Sequence, residues 1–191
     1  MSKQFLTSDL HLGHDNIRKY CSRPFKTLEE MNETIIRRWN ERVKKEDFVY
    51  HVGDFCFRNS NDSRGEGIRN KAQEWNDRLN GNKVFIKGNH DRSNSLKTII
   101  KSCIIEYAGF EYKLVHNPNE ADPFYKVNFC GHVHQNWKFK TYKGTKIVNC
   151  GVDVNSFYPK TIEELLNELK KYEKNNVLEE YQPYYREEKN D

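Results

Sequence analysis

Five short polar clusters, each placed directly after an apolar strand-like run, restrict this chain to folds in which strand ends meet. They are Asp9-Leu10-His11, Gly53-Asp54, Gly88-Asn89-His90-Asp91, His116-Asn117 and Gly131-His132-Val133-His134. The third follows Lys83-Val84-Phe85-Ile86-Lys87, a run with the β-branched and aromatic residues of a strand. A glycine at 88 permits a sharp turn. An amide, an imidazole and a carboxylate then emerge side by side. Five of the 7 histidines fall in these clusters. One such histidine means little, because lone motif matches are often accidental. Five beside Gly, Asn or Asp match the place where open α/β sheets bind ligands.

The rest of the chain supplies the layers. Residues 3–8 read as a first strand that delivers Asp9 and His11, and 12–25 as a loop. Thr27 with Glu30 is a capping-box signature. Leu28, Met31, Ile35, Trp39 and Val43 then recur at helical spacing. Residues 47–52 form a second strand and 59–67 a polar loop. A second helix carries Ile68, Ala72, Trp75 and Leu79 on one face, with Gly81 as its expected C-cap. Residues 83–87 make a third strand. This β-α-β-α-β order implies a parallel or mixed sheet with crossover helices. A weaker helix is expected near 96–103, then strands at 111–115, 127–130, 138–142 and 146–150. Thr161 and Glu164 open a last helix bearing Ile162, Leu165, Leu166, Leu169 and Tyr172. Residues 1–174 read as the domain, and 175–191 as a charged tail that is loose or packs on an edge.

Composition enters as exclusion. The sequence has no run of about 18 or more apolar residues, so no membrane helix and no membrane partner is expected. The first residues lack the apolar region of a signal peptide, which predicts a cytoplasmic protein. Five cysteines (Cys21, Cys56, Cys103, Cys130, Cys150) without a CxxC pair argue against a disulfide framework and a thiolate zinc site. Cys130 and Cys150 each end a strand-like run and read as buried small hydrophobes. A net charge of +4 is too small to argue for nucleic acid by itself. Arg37, Arg38, Arg42, Lys44 and Lys45 read as a solvated helix face.

Imidazole and carboxylate without thiolate suit borderline divalent metals, Mn first, with Fe, Zn and Ni as alternatives. Asp9, His11, Asp54, Asn89, His116, His132 and His134 are too many ligands for one ordinary ion and the right set for two ions sharing a carboxylate. Two ions roughly 3.5–4 Å apart clamp the attacking and leaving oxygens of a phosphoryl displacement. They also bring a shared water towards ionisation at neutral pH. His90 then faces the leaving group, protonating the departing alkoxide or stabilising the phosphoryl oxygens.

The ordered blocks resemble the calcineurin-like metallophosphoesterase superfamily, whose pattern is D-x-H, G-D, G-N-H-D/E, a lone His, and G-H-x-H. All five are present in order between residues 9 and 134, and with flanking elements the resemblance covers about 1–172. It implies an α/β fold, a four-layer α/β/β/α sandwich of two mixed sheets flanked by helices. It also implies two divalent ions, one on Asp9, His11 and His134 and one on Asn89, His116 and His132. Asp54 would bridge them, and His90 would be the catalytic histidine. Phosphoprotein phosphatases of this superfamily carry G-D-x-x-D-R. Here the stretch is Gly53-Asp54-Phe55-Cys56-Phe57-Arg58. Arg58 matches the phosphate-contacting arginine. Phe57 replaces the carboxylate that orients the catalytic histidine, which leaves Asp91 for that task. His14 stands where it can meet substrate phosphate or only water and backbone. His51, inside a strand, reads as support or packing, and Asn117 as a phosphate contact or a turn before Pro118.

The expected activity is therefore hydrolysis of a phosphate ester by in-line attack of an ion-activated water. The small chain favours accessible phosphodiesters, such as a nucleotide or a nucleic-acid end. A phosphomonoesterase acting on phosphoproteins or small metabolites is the alternative that Arg58 supports. A scaffold that keeps the fold without the chemistry is a third reading, against which the retained His90 and ligand set argue. Substrate identity and oligomeric state are not readable from this sequence.

Overall fold

The computed structural model describes residues 2–57, 71–92 and 95–183. Arg58, the 59–67 loop and Ile68 lie outside them. In chain order the strands are β1 (Gln4–Thr7), β2 (Phe48–Val52), β3 (Asn82–Ile86), β4 (Ser102–Tyr107), β5 (Phe110–Val115), β6 (Val127–Cys130), β7 (Phe139–Tyr142), β8 (Thr145–Asn149) and β9 (Lys160–Thr161). The helices are α1 (Asn16–Tyr20), α2 (Leu28–Arg42), α3 (Ala72–Asp77) and α4 (Ile162–Glu173). They form two mixed sheets with flanking helices, the α/β arrangement expected from the sequence. The first sheet is ordered β3-β2-β1-β9 and the second β4-β5-β6-β8-β7. In the first, β1, β2 and β3 are parallel; in the second, β5, β6 and β8 are. Parallel pairing sends the C-terminal ends of neighbouring strands to one edge of each sheet, and the polar clusters leave from those ends.

Strand alternation divides the core. Phe5 and Val49 face the helices and join Met31, Ile35 and Trp39 of α2 and Trp75 of α3. Leu6, Val52 and Ile86 face the other way, onto Leu114, Phe129 and Val148 of the second sheet and Ile162, Leu165 and Leu169 of α4. Each such side chain contributes about 1.5–3 kcal/mol when fully buried. On the second sheet's remaining face, Ile147 packs with Ala121, Val133 and Tyr181. The Tyr181 ring lies 5.4 Å from Trp137 and 5.7 Å from Tyr142, and Glu180 bridges Thr141 of β7.

Local chemistry starts α2 and α4 as expected, with one difference, whereas α1 forms inside the 12–25 stretch expected to be a loop. The Thr27 hydroxyl accepts from the Glu30 amide at 3.0 Å, but the Glu30 carboxylate takes the Lys26 amide instead of Thr27's own. Thr161 and Glu164 form the full reciprocal box. Helix α3 ends at Asp77, and Gly81 lies in the turn into β3 rather than capping it. The basic face of α2 is spent on neighbours: Arg37 pairs with Glu41, Arg42 with Glu164, and Arg38 donates to the Ser156 carbonyl. All five cysteines are free, and Cys130 and Cys150 are buried. No described helix is long and apolar enough to cross a membrane.

The helix expected near 96–103 is not there. Cys103 belongs to β4, which pairs antiparallel with β5. Ala108 and Gly109 join them with φ of 52° and 76°, the left-handed pair that a two-residue hairpin needs. Ile105 is buried and Ile104 exposed, the alternation of a half-buried strand. Strand pairing with β5 overrides a weak helical pattern here.

His51 is a packing residue at a price in polar satisfaction. It is fully buried on β2, its ring 5.2 Å from that of Phe55, and neither ring nitrogen has a hydrogen-bond partner. Burial pulls its pKa down to about 4, so it is neutral at pH 7. An unpaired buried polar group costs about 1–3 kcal/mol, and an apolar side chain of similar size removes that cost. His51→Leu is expected to raise the thermal midpoint, and differential scanning calorimetry will show whether it does.

Candidate metal centre

The seven candidate ligands read from the sequence come together in one cluster. Asp9, His11 and His134 bring ligand atoms within 4.8 Å of one another, and Asp9, Asp54 and His116 do the same. Asp54 Oδ2 stands between the two halves, 3.5 Å from His11 Nε2 and 3.3 Å from His116 Nε2. Asn89 Oδ1 lies 3.0 Å from both His116 Nε2 and His132 Nδ1.

The backbone that aims these groups is strained. Asp9, His11, Asp54, His132 and His134 have φ of 58°, 50°, 59°, 73° and 47°. Such left-handed residues cost roughly 1–3 kcal/mol each and persist only where their surroundings hold them. The Asp9 amide donates to the Gly53 carbonyl at 3.0 Å and the His11 amide to Asp54's at 3.1 Å. The Asp91 carboxylate is buried and accepts from the amides of Gly88, Asp54 and Phe55 at 2.8, 2.8 and 3.1 Å, clamping two ligand loops together. The His132 amide donates to the Asp9 carboxylate at 3.1 Å.

Two motif glycines are there for closeness. A Cβ at residue 88 would sit 2.1 Å from Asp54 Oδ1, so Gly88 serves close approach of the two loops. Gly53, at φ +91°, would place a Cβ 2.2 Å from His116 Nδ1. Only glycine fits either position.

Hydrogen bonds also choose which imidazole nitrogen is available. His116 Nδ1 lies 2.9 Å from the Val52 carbonyl, so it carries the proton and leaves Nε2 facing Asp54. His134 Nδ1 lies 2.9 Å from Asp153 Oδ2, which leaves its Nε2 for Asp9 and His11. Burial opposes charge on His116, yet the Asp54 carboxylate lifts its pKa to about 9. Burial likewise opposes charge on His134, and Asp153 overrides it, to about 10. Burial and the neighbouring His116 lower His132 to about 4, and burial holds His11 well below the ordinary range. Against its own burial, Asp54 is kept ionised by His116 and His11.

His11 Nε2 and Asp54 Oδ2 are buried and have no hydrogen-bond partner in the protein. Buried polar atoms left without hydrogen bonds are unfavourable, and a cation held between these two would satisfy both. The donor set therefore fits divalent metal, and the imidazole, carboxylate and amide ligands suit borderline ions.

His90 opens the 3-10 turn His90–Arg92 and is exposed. Its amide donates to Asp54 Oδ1 at 2.9 Å, and its ring stands 5.2 Å from His11's. His14 is buried against Phe57, rings 4.9 Å apart and stacked, with its Nδ1 3.5 Å from that of His11. Asn117 accepts from the Asn119 amide at 2.9 Å and caps the turn at Pro118. Sequence reasoning missed Asp153, Arg23 and Ser8. Ser8 Oγ donates to Asp9 Oδ2 at 2.5 Å. Asp153 follows the 146–150 strand run as Gly151-Val152-Asp153, so the strand-end rule applied once more would have found it. Nothing local in the sequence marks Arg23.

Fold and cluster together define a metal-binding α/β protein. The family model for calcineurin-like phosphoesterases matches residues 3–190. The chain is 37% identical over 180 residues to the uncharacterized protein MJ1445 of Methanocaldococcus jannaschii, covering 90% of this chain and 93% of that one. It is 33% identical over 91 residues to the gene 66 protein of Mycobacterium phage L5, covering 48% of this chain and 41% of that one. The crystal structure of AQ665, a protein of unknown function from Aquifex aeolicus, is similar with a TM-score of 0.66 and 25% identity, over 88% of this chain and 100% of that one. The chain belongs to the calcineurin-like phosphoesterase family, whose members bind divalent metals and act on phosphate esters.

Proposed function

We propose that this protein is a phosphodiesterase that holds two divalent ions, Mn²⁺ first, one on Asp9, His11 and His134 and one on Asn89, His116 and His132, with Asp54 shared. The observation that carries this is the pair of buried polar atoms without hydrogen bonds, His11 Nε2 and Asp54 Oδ2, 3.5 Å apart inside the cluster of seven candidate ligands. When bound, such ions polarise phosphoryl oxygens and supply a nucleophile at neutral pH. His90, tied through its amide to Asp54 and open to solvent, donates a proton to the departing alkoxide. Asp91 positions His90 through the backbone, because its carboxylate grips Gly88 and Asp54 on either side. Among the described residues, Arg23, beside the ligand loop, already serves Asp153 and two backbone carbonyls. Among these residues the phosphate is thus left to imidazole rather than to that fixed cation, which suits the single charge of a diester better than the double charge of a monoester. The five free thiols agree with a reducing, cytoplasmic setting.

The test is the ratio of kcat/KM for bis-para-nitrophenyl phosphate and para-nitrophenyl phosphate with the Mn²⁺-loaded chain. A higher value for the diester is expected. A strong preference for the monoester would overturn the diesterase reading, and ion binding without turnover of either would point to a scaffold.

Proton linkage gives a second check. At pH 7 the ion-free His116 and His134 carry protons, with pKa values of about 9 and 10. Each must lose one to bind an ion, whereas His11 and His132 are already neutral. Loading at pH 7 should release about two protons per chain, and affinity should rise with pH until release ceases above about 10. Titration calorimetry in buffers of different ionisation enthalpy measures the count.

A further inference from the structure

Arg23 and Asp153 form an ion pair with side chains 0% and 3% exposed, and they join parts of the chain 130 residues apart. Arg23 Nε and Nη2 donate to Asp153 Oδ1 and Oδ2 at 2.8 and 3.0 Å. The same guanidinium donates to the Asp9 carbonyl at 2.7 Å and the Leu10 carbonyl at 3.0 Å. The Phe157 ring lies below it at 5.6 Å. Asp153 Oδ2 in turn receives His134 Nδ1 at 2.9 Å.

We propose that Arg23 and Asp153 are positioning residues that set the cradle of one ion, Asp9, His11 and His134, and act on the other cradle more weakly. Three observations carry this. The left-handed backbone at Asp9 and His11 needs an outside restraint, and Arg23 supplies it by holding the two carbonyls between them. The orientation and protonated nitrogen of His134 are fixed by Asp153. The other cradle has its own restraints: Val52 for His116 and the Asp91 clamp for the Asp54 and Gly88 loops. Cys21 also brings its sulfur near His134 and Asp153, but Arg23 holds both Asp153 oxygens, so that trio is not free to take an ion. A lysine cannot replace Arg23, because the planar fork must reach Asp153 and two carbonyls at once.

The inference rests on the two-ion reading above, and the test separates the two. Co²⁺ binding is measured by equilibrium dialysis of the full chain in two backgrounds. His132→Ala leaves the first cradle intact, and His11→Ala leaves the second. In the His132→Ala background, Asp153→Asn and Arg23→Lys should each weaken Co²⁺ binding about 10- to 100-fold, the usual effect of losing a ligand's hydrogen-bonding partner. In the His11→Ala background the same changes should weaken it by about threefold at most, the coupling passing through the bond of the His132 amide to Asp9. Equal weakening in both backgrounds, no weakening in either, or loss of the fold in both variants would overturn the positioning role. A wild-type chain that takes up no Co²⁺ would instead overturn the two-ion reading.

Discussion

Asp54→Asn is expected to lower kcat/KM for a phosphodiester by about 10³-fold or more, and also to lower the thermal midpoint of the ion-free protein at pH 7. The activity loss follows from the shared carboxylate: two cations held near each other need its negative charge between them, an effect of several kcal/mol at about 1.4 kcal/mol per decade of rate. The stability result follows from the pairing of Asp54 with protonated His116, 3.3 Å away, which holds the imidazole's pKa up to about 9. That contribution is present at pH 7 and fades as pH rises through about 9, so the loss should shrink at high pH. The substituted side chain's Oδ1 can still accept from the His90 amide. Thermal melts of ion-free protein beside steady-state kinetics with Mn²⁺ give both numbers. A variant that keeps its activity, or loses it only by unfolding, would count against Asp54 as the shared ligand.

His90→Gln is expected to lower kcat by about 10²- to 10⁴-fold, the range of a lost general acid, with ion stoichiometry unchanged. His90 is exposed, and its ring stands 5.2 Å from that of His11. Its backbone amide, which the substitution keeps, makes the contact to Asp54. The loss should be large for an alkyl leaving group and small for para-nitrophenolate, which departs without a proton. Equal losses for both would assign His90 to charge stabilisation on phosphorus instead of proton transfer.

The cluster of candidate ligands was legible because metal chemistry needs few residue types, and here they gather at strand ends where alternation ends and glycine intrudes. Helices α2 and α4 were legible through spacing and the caps at Thr27 and Thr161. Three things were not. Strand β4 was hidden because its existence depends on pairing with β5, although Ala108-Gly109 marks the hairpin in retrospect. Gly88 looks like a turn residue, and only the fold shows Asp54 pressed against it. Arg23 meets Asp153 across 130 residues, a contact no local pattern encodes.

The account stands most directly on one measurement: counting Mn²⁺ ions bound per chain by equilibrium dialysis of metal-stripped protein while turnover of bis-para-nitrophenyl phosphate is followed. Two ions per chain, with turnover absent before loading and complete once both are bound, is the predicted result. A single ion, no ion, or turnover that does not depend on added metal would contradict it.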